Sequence, residues 1–231
     1  MASTETLTLY PAADSSLKHS CSAGSEGFSL INEETADDDA TYIYHDVNTT
    51  SSKTITSTFK IVGSNTGKIQ ITSLEIHARA MANYSSILGD THTLTLTASI
   101  DGTSLGSGSA SYVSNSYSDI NATFEISSNK DLAGKEYSSL SAVNIILSMA
   151  TAGAYSSRKG SAFQIRITQL YVIITYTKVT DETETGMYLK TNGVYNLCAG
   201  VYQKVNGVWV QLTHDEMKNI FKVSERYKHM T

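Results

Sequence analysis

The chain has 231 residues, enough for one large all-β domain or for one domain with a small appendage. With 17 Lys and Arg against 22 Asp and Glu, its formal charge of -5 argues against an electrostatic grip on nucleic acid or on an anionic membrane surface. Ser and Thr make up about a quarter of the residues and charged side chains only 17%, a skew toward pleated sheet, and a single Pro argues against a disordered linker protein.

Cys21 and Cys198 lie far apart with no partner at metal-ligand spacing. They read as reduced, half-buried thiols rather than as a disulfide framework or a zinc site. Residues 1–10 (MASTETLTLY) have no basic region and no apolar h-region, so no signal peptide is expected and synthesis in a cytoplasm is. The best candidate for a membrane span, residues 170–176, falls far short of the ~18 apolar residues required.

In chain order, period-two alternation runs through residues 55–61, 69–80, 94–100, 120–126, 143–149 and 163–176. It is cleanest at Leu94, Leu96, Ala98 and Ile100, interleaved with Thr93, Thr95, Thr97 and Ser99, which predicts one buried face and one threonine ladder. Two runs change phase. Ile69 and Ile71 give way to Leu74, Ile76 and Ala78, and Ile165 and Ile167 give way to Leu170, Val172 and Ile174, which predicts β-bulges near Ser73 and Gln169. Residues 63–67 (GSNTG), Asp101-Gly102 and the glycine-serine stretch 106–111 predict turns or loops. Strands that follow one another without crossover helices predict an antiparallel β-sandwich, jelly-roll-like, over residues 1–178, with about eight or nine strands.

Residues 179–186 (VTDETETG) have the composition of a short exposed linker. Beyond them an internal repeat pairs residues 188–195 (YLKTNGVY) with 202–209 (YQKVNGVW), each carrying the Asn-Gly of a two-residue hairpin. This predicts a small β-meander of three or four strands with Tyr188, Tyr195, Tyr202 and Trp209 as cross-strand partners. Thr213 and Glu216 match a capping box, with Leu212 and Met217 as its hydrophobic staple, and predict a short helix over about 214–222 carrying Ile220 and Phe221. A module of 187–231 is too small to bury these side chains alone, so Tyr188, Tyr195, Tyr202, Trp209, Ile220 and Phe221 form the candidate assembly interface.

No catalytic, metal or cofactor site emerges. The six histidines occur singly, His77 is expected to face outward, and a solvent-exposed or structurally bonded role is expected for each. Residues 102–106 (GTSLG) match the G-x-S-x-G elbow, but Asp101-Gly102 is a hairpin turn and no helix follows, so Ser104 is not expected to be a nucleophile. Asp37, Asp38 and Asp39 lack the spaced oxygens and glycine pivot of a calcium loop and read as a solvated, mutually repelling loop. Exposed tyrosines can stack on the apolar face of a sugar, and Tyr84, Tyr112, Tyr117 and Tyr155 are the candidate glycan contacts, with Tyr137 considered beside them.

Residues 29–43 (SLINEETADDDATYI), an acidic loop running into a Thr-Tyr-Ile strand, resemble a pattern common in structural proteins of tailed bacteriophages and phage-like particles. Residues 207–211 (GVWVQ), after a Lys-Val-Asn hairpin, are similar to the small terminal modules of phage proteins from Gram-positive hosts. The resemblance implies a non-enzymatic virion component of the capsid decoration, neck, tail or fibre type, assembled in the host cytoplasm. Its partners would be itself, as a homo-oligomer, and other virion proteins, without nucleic acid, membrane insertion or cofactor. The alternative is a receptor- or carbohydrate-binding module of a phage tail that engages host surface glycans.

Overall fold

The structure, a computed structural model, describes residues 3–65, 67–83, 91–108, 110–154 and 162–179, together with four short strands between 188 and 211. Contacts divide the chain into two units, Met1–Thr180 and Asp181–Thr231. In the first unit thirteen strands form two antiparallel sheets. The order in the chain is β1 (Thr4–Leu9), β2 (Pro11–Ser16), β3 (Ser20–Cys21), β4 (Ile43–Val47), β5 (Lys53–Ile61), β6 (Ile69–Asn83) and β7 (Thr91–Ile100). It continues with β8 (Thr103–Ser107), β9 (Ser111–Tyr112), β10 (Ser118–Glu125), β11 (Glu136–Tyr137), β12 (Ile145–Ala154) and β13 (Phe163–Lys178). The excess over the eight or nine strands expected comes largely from β3, β9 and β11, two residues each, too short to carry a periodic signal. Helical structure among the described residues is confined to three 3-10 turns at Phe28–Leu30, Ile126–Ser128 and Leu140–Ala142. The helix expected over 214–222 and most of the linker lie outside the described residues.

The first sheet runs β10-β6-β13-β4-β3, with β1 on β13 and β11 on β6; the second runs β2-β5-β12-β7-β8, with β9 on β7. Each sheet turns one face inward, as alternation requires. In β7, Leu94, Leu96, Ala98 and Ile100 are buried while the threonines between them are only partly covered. Against them lie the inward residues of the first sheet, Leu74 and Ile76 on β6 and Ile165, Ile167, Leu170, Val172 and Ile174 on β13, all with no exposed surface. Each such Leu or Ile contributes ~1.5–3 kcal/mol of burial, the main favourable contribution to the fold.

Both predicted bulges are present, and the register identifies the inserted residues. On β6, Ser73 faces Thr175 but Ile71 faces Tyr176, so Thr72 is the extra residue, its hydroxyl donating to the Thr175 carbonyl at 3.1 Å. On β13, Ile167 faces Ala80 but Gln169 faces Arg79, so Thr168 is unpaired. The β13 bulge falls where its other neighbour changes: β4 pairs as far as Ile167, and β1 begins at Val172. Asp101 and Gly102, with φ of 50° and 82°, turn β7 into β8 and place Ile100 opposite Thr103. That is the type I′ geometry expected of Asp-Gly. The stretch 106–111 is less of a loop than its composition suggests, because Gly106 and Ser107 extend β8 and Ser111 begins β9. The Thr-Tyr-Ile strand expected from Thr41 starts only at Ile43.

In the second unit β14 (Tyr188–Thr191) pairs with β15 (Val194–Leu197) and β16 (Tyr202–Val205) with β17 (Val208–Gln211). Thr191 opposite Val194 and Val205 opposite Val208 are the registers of two-residue hairpin loops, in line with the repeat. Two expectations are corrected. The hairpins are separate two-stranded sheets, with no pairing between β15 and β16, instead of one meander. The aromatics are not direct partners: Tyr188 faces Leu197, Tyr195 faces Lys190, Tyr202 faces Gln211 and Trp209 faces Lys204. A two-residue loop sets that register, and it leaves each aromatic pair one diagonal step apart.

Gly153 tests how tightly the sheets close. A Cβ there would sit 2.5 Å from Val47 Cγ2 and 3.3 Å from Ile165 Cδ1, both on the opposite sheet. Gly153→Ala is therefore expected to cost about 1–3 kcal/mol, read as a lower urea midpoint with an unchanged slope.

Candidate functional site

The outer face of the first sheet gathers much of the ionisable and aromatic side chain that the core leaves out. Glu75, His77 and Arg79 point outward from β6, Arg166 and Tyr171 from β13, and Asp119 and Asn121 from β10. The period of two puts them there, because the intervening residues are the buried ones.

Across this face lies the loop of residues 31–42, and the Thr168 bulge holds it. Leu170 N–H donates to the Ile31 carbonyl at 2.8 Å, and Gln169 Nε2 donates to the carbonyls of Glu33 and Glu34 at 2.7 and 3.2 Å. The Thr168 hydroxyl reaches the Thr41 carbonyl at 3.0 Å and Asp37 Oδ1 at 3.3 Å. A bulge exposes backbone and side-chain donors that a regular ladder would consume, and here the loop takes them up.

The three aspartates then turn to separate donors. Asp37 accepts from the Thr41 amide and hydroxyl at 3.1 and 2.9 Å. Asp38, at a left-handed φ of 55°, grips Arg79 with both carboxylate oxygens, Nε at 2.6 Å and Nη2 at 3.0 Å. Asp39 accepts from Arg166 Nη1 at 2.9 Å and from the Tyr117 hydroxyl at 3.1 Å. The Arg79 hydrogen bonds hold the Asp38 carboxyl below its ordinary value despite partial burial. Burial first, and then the Asp39 carboxylate, push the Tyr117 phenol upward. The loop is solvated as expected, with Asp37 and Asp39 exposed, but the charges of Asp38 and Asp39 are paired with arginines instead of left to repel one another. Arg79 and Arg166 lie 41 and 127 positions from their partners, so only the tertiary fold brings them under the loop.

Beside this clamp runs an aromatic row. Tyr171 lies parallel to His77 with centroids 4.6 Å apart and an interplanar angle of 3°, and Tyr10 approaches Tyr171 at 5.9 Å. His77 Nε2 lies 3.1 Å from Glu75 Oε1, which also accepts from Asn121 Nδ2 at 3.3 Å. Tyr42 carries the Arg166 guanidinium over its ring at 4.6 Å and meets Tyr44 edge-on at 5.9 Å. His77 faces outward as expected; His19, His45 and His92 are buried. Nothing in the local sequence marks Tyr10, Tyr42, Tyr171, Arg79 or Arg166 as neighbours, although the outward phase of Arg79, Arg166 and Tyr171 in alternating strands is legible.

The four candidate glycan tyrosines do not converge among the described residues. Tyr84 and Tyr155 lie outside them. Tyr112, on the edge strand β9 of the second sheet, is 59% exposed, with its ring 4.4 Å from that of His92. Tyr117 is engaged at both ends, by Arg79 at 5.7 Å from its ring and by the aspartate loop at its hydroxyl. Tyr137 is 9% exposed and belongs to the core. Ser104 lies in β8 with its Oγ accepting the Gly106 amide at 3.2 Å, and a strand rather than a helix carries it. Cys21 is a half-buried free thiol, raised by burial and by Asp14. Among the described residues no group of three His, Cys, Asp or Glu side chains could hold a metal ion, and no helix is long and apolar enough to cross a membrane.

No family model and no curated protein matches the chain. Among solved structures it is similar to TmCBM61 in complex with β-1,4-galactotriose, at a TM-score of 0.33 and 7% identity over 59% of this chain and 72% of that one. A CBM4 structure aligns at 0.33 and 11% over 61% and 88%, and the VP2 subviral particle of infectious bursal disease virus at 0.25 and 11% over 65% and 43%. With TM-scores this low, the reading of the site rests on the geometry of this chain.

Because the aspartate oxygens already face arginine and threonine donors, millimolar Ca²⁺ is expected to leave the melting temperature unchanged. Arg79→Met is expected to cost about 1 kcal/mol and to speed amide exchange across 33–41 selectively. A Ca²⁺-induced rise of several degrees, lost in Asp38→Ala with Asp39→Ala, would contradict the clamp.

Proposed function

We propose that the chain is a non-enzymatic structural component of a phage-type virion, with the sandwich as displayed body and the second unit as attachment element. The observation that carries this reading is the pair of hairpins in the Asn-Gly repeat, each a sheet of two strands among the described residues. A two-stranded hairpin is marginal in water and needs a surface to cover it. Tyr188, Tyr195, Tyr202 and Trp209 supply the aromatic area from which interface anchors are made, and Ile220 and Phe221, outside the described residues, are proposed to add to it. The partner is another copy of the chain or a neighbouring virion protein. The acidic composition of the segment before the hairpins favours contact between chains over contact with its own sandwich.

Truncation after Lys178 separates the roles. By light scattering the full chain should be oligomeric or bind its particle, and the truncated sandwich should stay folded and lose that association. Equal oligomerisation of both would move the assembly surface to the sandwich.

A second reading, display of a glycan-binding surface, is favoured by Tyr112, which is 59% exposed and has its ring against that of His92. An exposed ring can stack on a sugar, whereas Tyr171 is flanked by His77 and Tyr10. On a glycan array, any ligand bound this way should lose about tenfold in affinity in Tyr112→Ala, corresponding to ~1.4 kcal/mol. Tyr117→Ala should bind as the parent does. An array with no ligand above background would remove this reading without touching the first.

A further inference from the structure

Among the described residues the sandwich interior contains a connected polar cluster, which neither the surface clamp nor the assembly module uses. His19, Ser57 and Thr151 are buried, with 4%, 0% and 0% of their surface exposed, and His45 with 1%. The four come from four places: the connection between β2 and β3, strand β5, strand β12 and strand β4. His19 Nδ1 lies 2.7 Å from Ser57 Oγ and its Nε2 lies 2.9 Å from Thr151 Oγ1, which is in turn 3.0 Å from His45 Nδ1.

Donor counting fixes the state of His19. Ser57 Oγ accepts two backbone N–H groups, Lys18 at 2.9 Å and His19 at 3.1 Å, which occupy both of its lone pairs. Its own proton must therefore go to His19 Nδ1. That ring nitrogen is an acceptor, the His19 proton sits on Nε2, and it is donated to Thr151. A second proton on His19 would set an N–H against the Ser57 O–H at 2.7 Å, with no acceptor between them. At the far end, His45 Nε2 is buried without a hydrogen-bond partner among the described residues, so a cation there would be solvated poorly.

We infer that the Ser57–His19–Thr151–His45 chain is an acid-sensitive latch that holds the β2–β3 segment against the edges of the two sheets. The ladder pairing of the segment is short and irregular. Strand β2 pairs only with β5 and shows two register irregularities, and β3 pairs with β4 over two residues. Asp14 anchors it from outside by accepting the Gly27 and Phe28 amides, both at 2.8 Å. Releasing residues 11–21 would bare the edges of β5 in the second sheet and β4 in the first, leaving the inner strands paired.

The charged groups around the cluster do not offset this. Strand β12 carries no ionisable side chain. On β5, Lys53 disfavours a proton on His45, while Asp46 on β4 favours it and is the weaker influence; Lys18 adjoins His19 in the chain. Burial, and then His45, lower His19 from 6.5 to about 4. A depressed folded value means that the unfolded or opened segment binds the proton more readily. The latch is therefore fully set above about 6.5 and is lost as the pH falls toward 4.

The test is hydrogen exchange and histidine NMR titration on the full chain. Amides of 12–21 should lose at least tenfold in protection, after correction for intrinsic rates, between pH 7 and pH 4.5, while those of β6 and β12 keep theirs. His19 should titrate well below 6. The double variant His19→Gln with His45→Gln should show no such pH step, and Ser57→Ala, which frees His19 Nδ1, should raise the His19 titration and loosen 11–21 already at pH 7. Should either variant not fold, the titration and exchange of the parent chain still decide. A His19 titration near 6.5, or an acid-induced loss spread evenly over all strands, would overturn the latch.

Discussion

Thr168 stands between Ile167, which still pairs with β4, and Gln169–Leu170, where β4 has ended and β1 has not begun. A regular β13 would leave a gap in the first sheet there and would turn every later side chain to the wrong face. The inserted residue resolves both problems. It restores Leu170, Val172 and Ile174 to the core, and it turns the donors of residues 168–170 toward the loop that crosses the gap. The aspartate clamp on Arg79 and Arg166 depends on that docking, because the loop must be seated before its carboxylates can reach the two guanidinium groups.

The same accounting of donors and acceptors governs the interior. A sandwich core tolerates few polar atoms, and most inward positions here are Ile, Leu, Val or Ala. Four of the buried polar side chains, His19, His45, Ser57 and Thr151, are linked to one another. Their hydroxyls and rings fasten a poorly paired segment to the edges of both sheets, a task that the short, irregular β2 and β3 could not perform by ladder bonds. Surface and interior thus use related devices: a stretch of irregular chain is held by side chains projecting from regular strands.

These arrangements bear on function by limiting what the surface has left to offer. The arginines and Tyr117 on the outer face of the first sheet are committed to the aspartate loop, and Tyr171 is flanked by two rings. Tyr112, on the edge of the second sheet, is exposed.

Alternation by itself determined the class of fold. Period two is a local property, so the strands, their inward faces, the two phase breaks and the Asp101-Gly102 and Asn-Gly hairpins could all be read along the chain. The bulges could be located to within a residue, because a bulge must lie where the inward set changes parity. Local order did not carry partnership across distance. That Asp38 would meet Arg79, that Asp39 would meet Arg166 and Tyr117, and that His19 would reach Ser57 and Thr151 depends on strand order and stagger. Strand order is set by how two whole sheets bury their apolar faces, a property no short window contains. For the same reason the aspartate run read as repulsive charge: like charges adjacent in sequence are visible, and the cations that neutralise them arrive only with the third dimension.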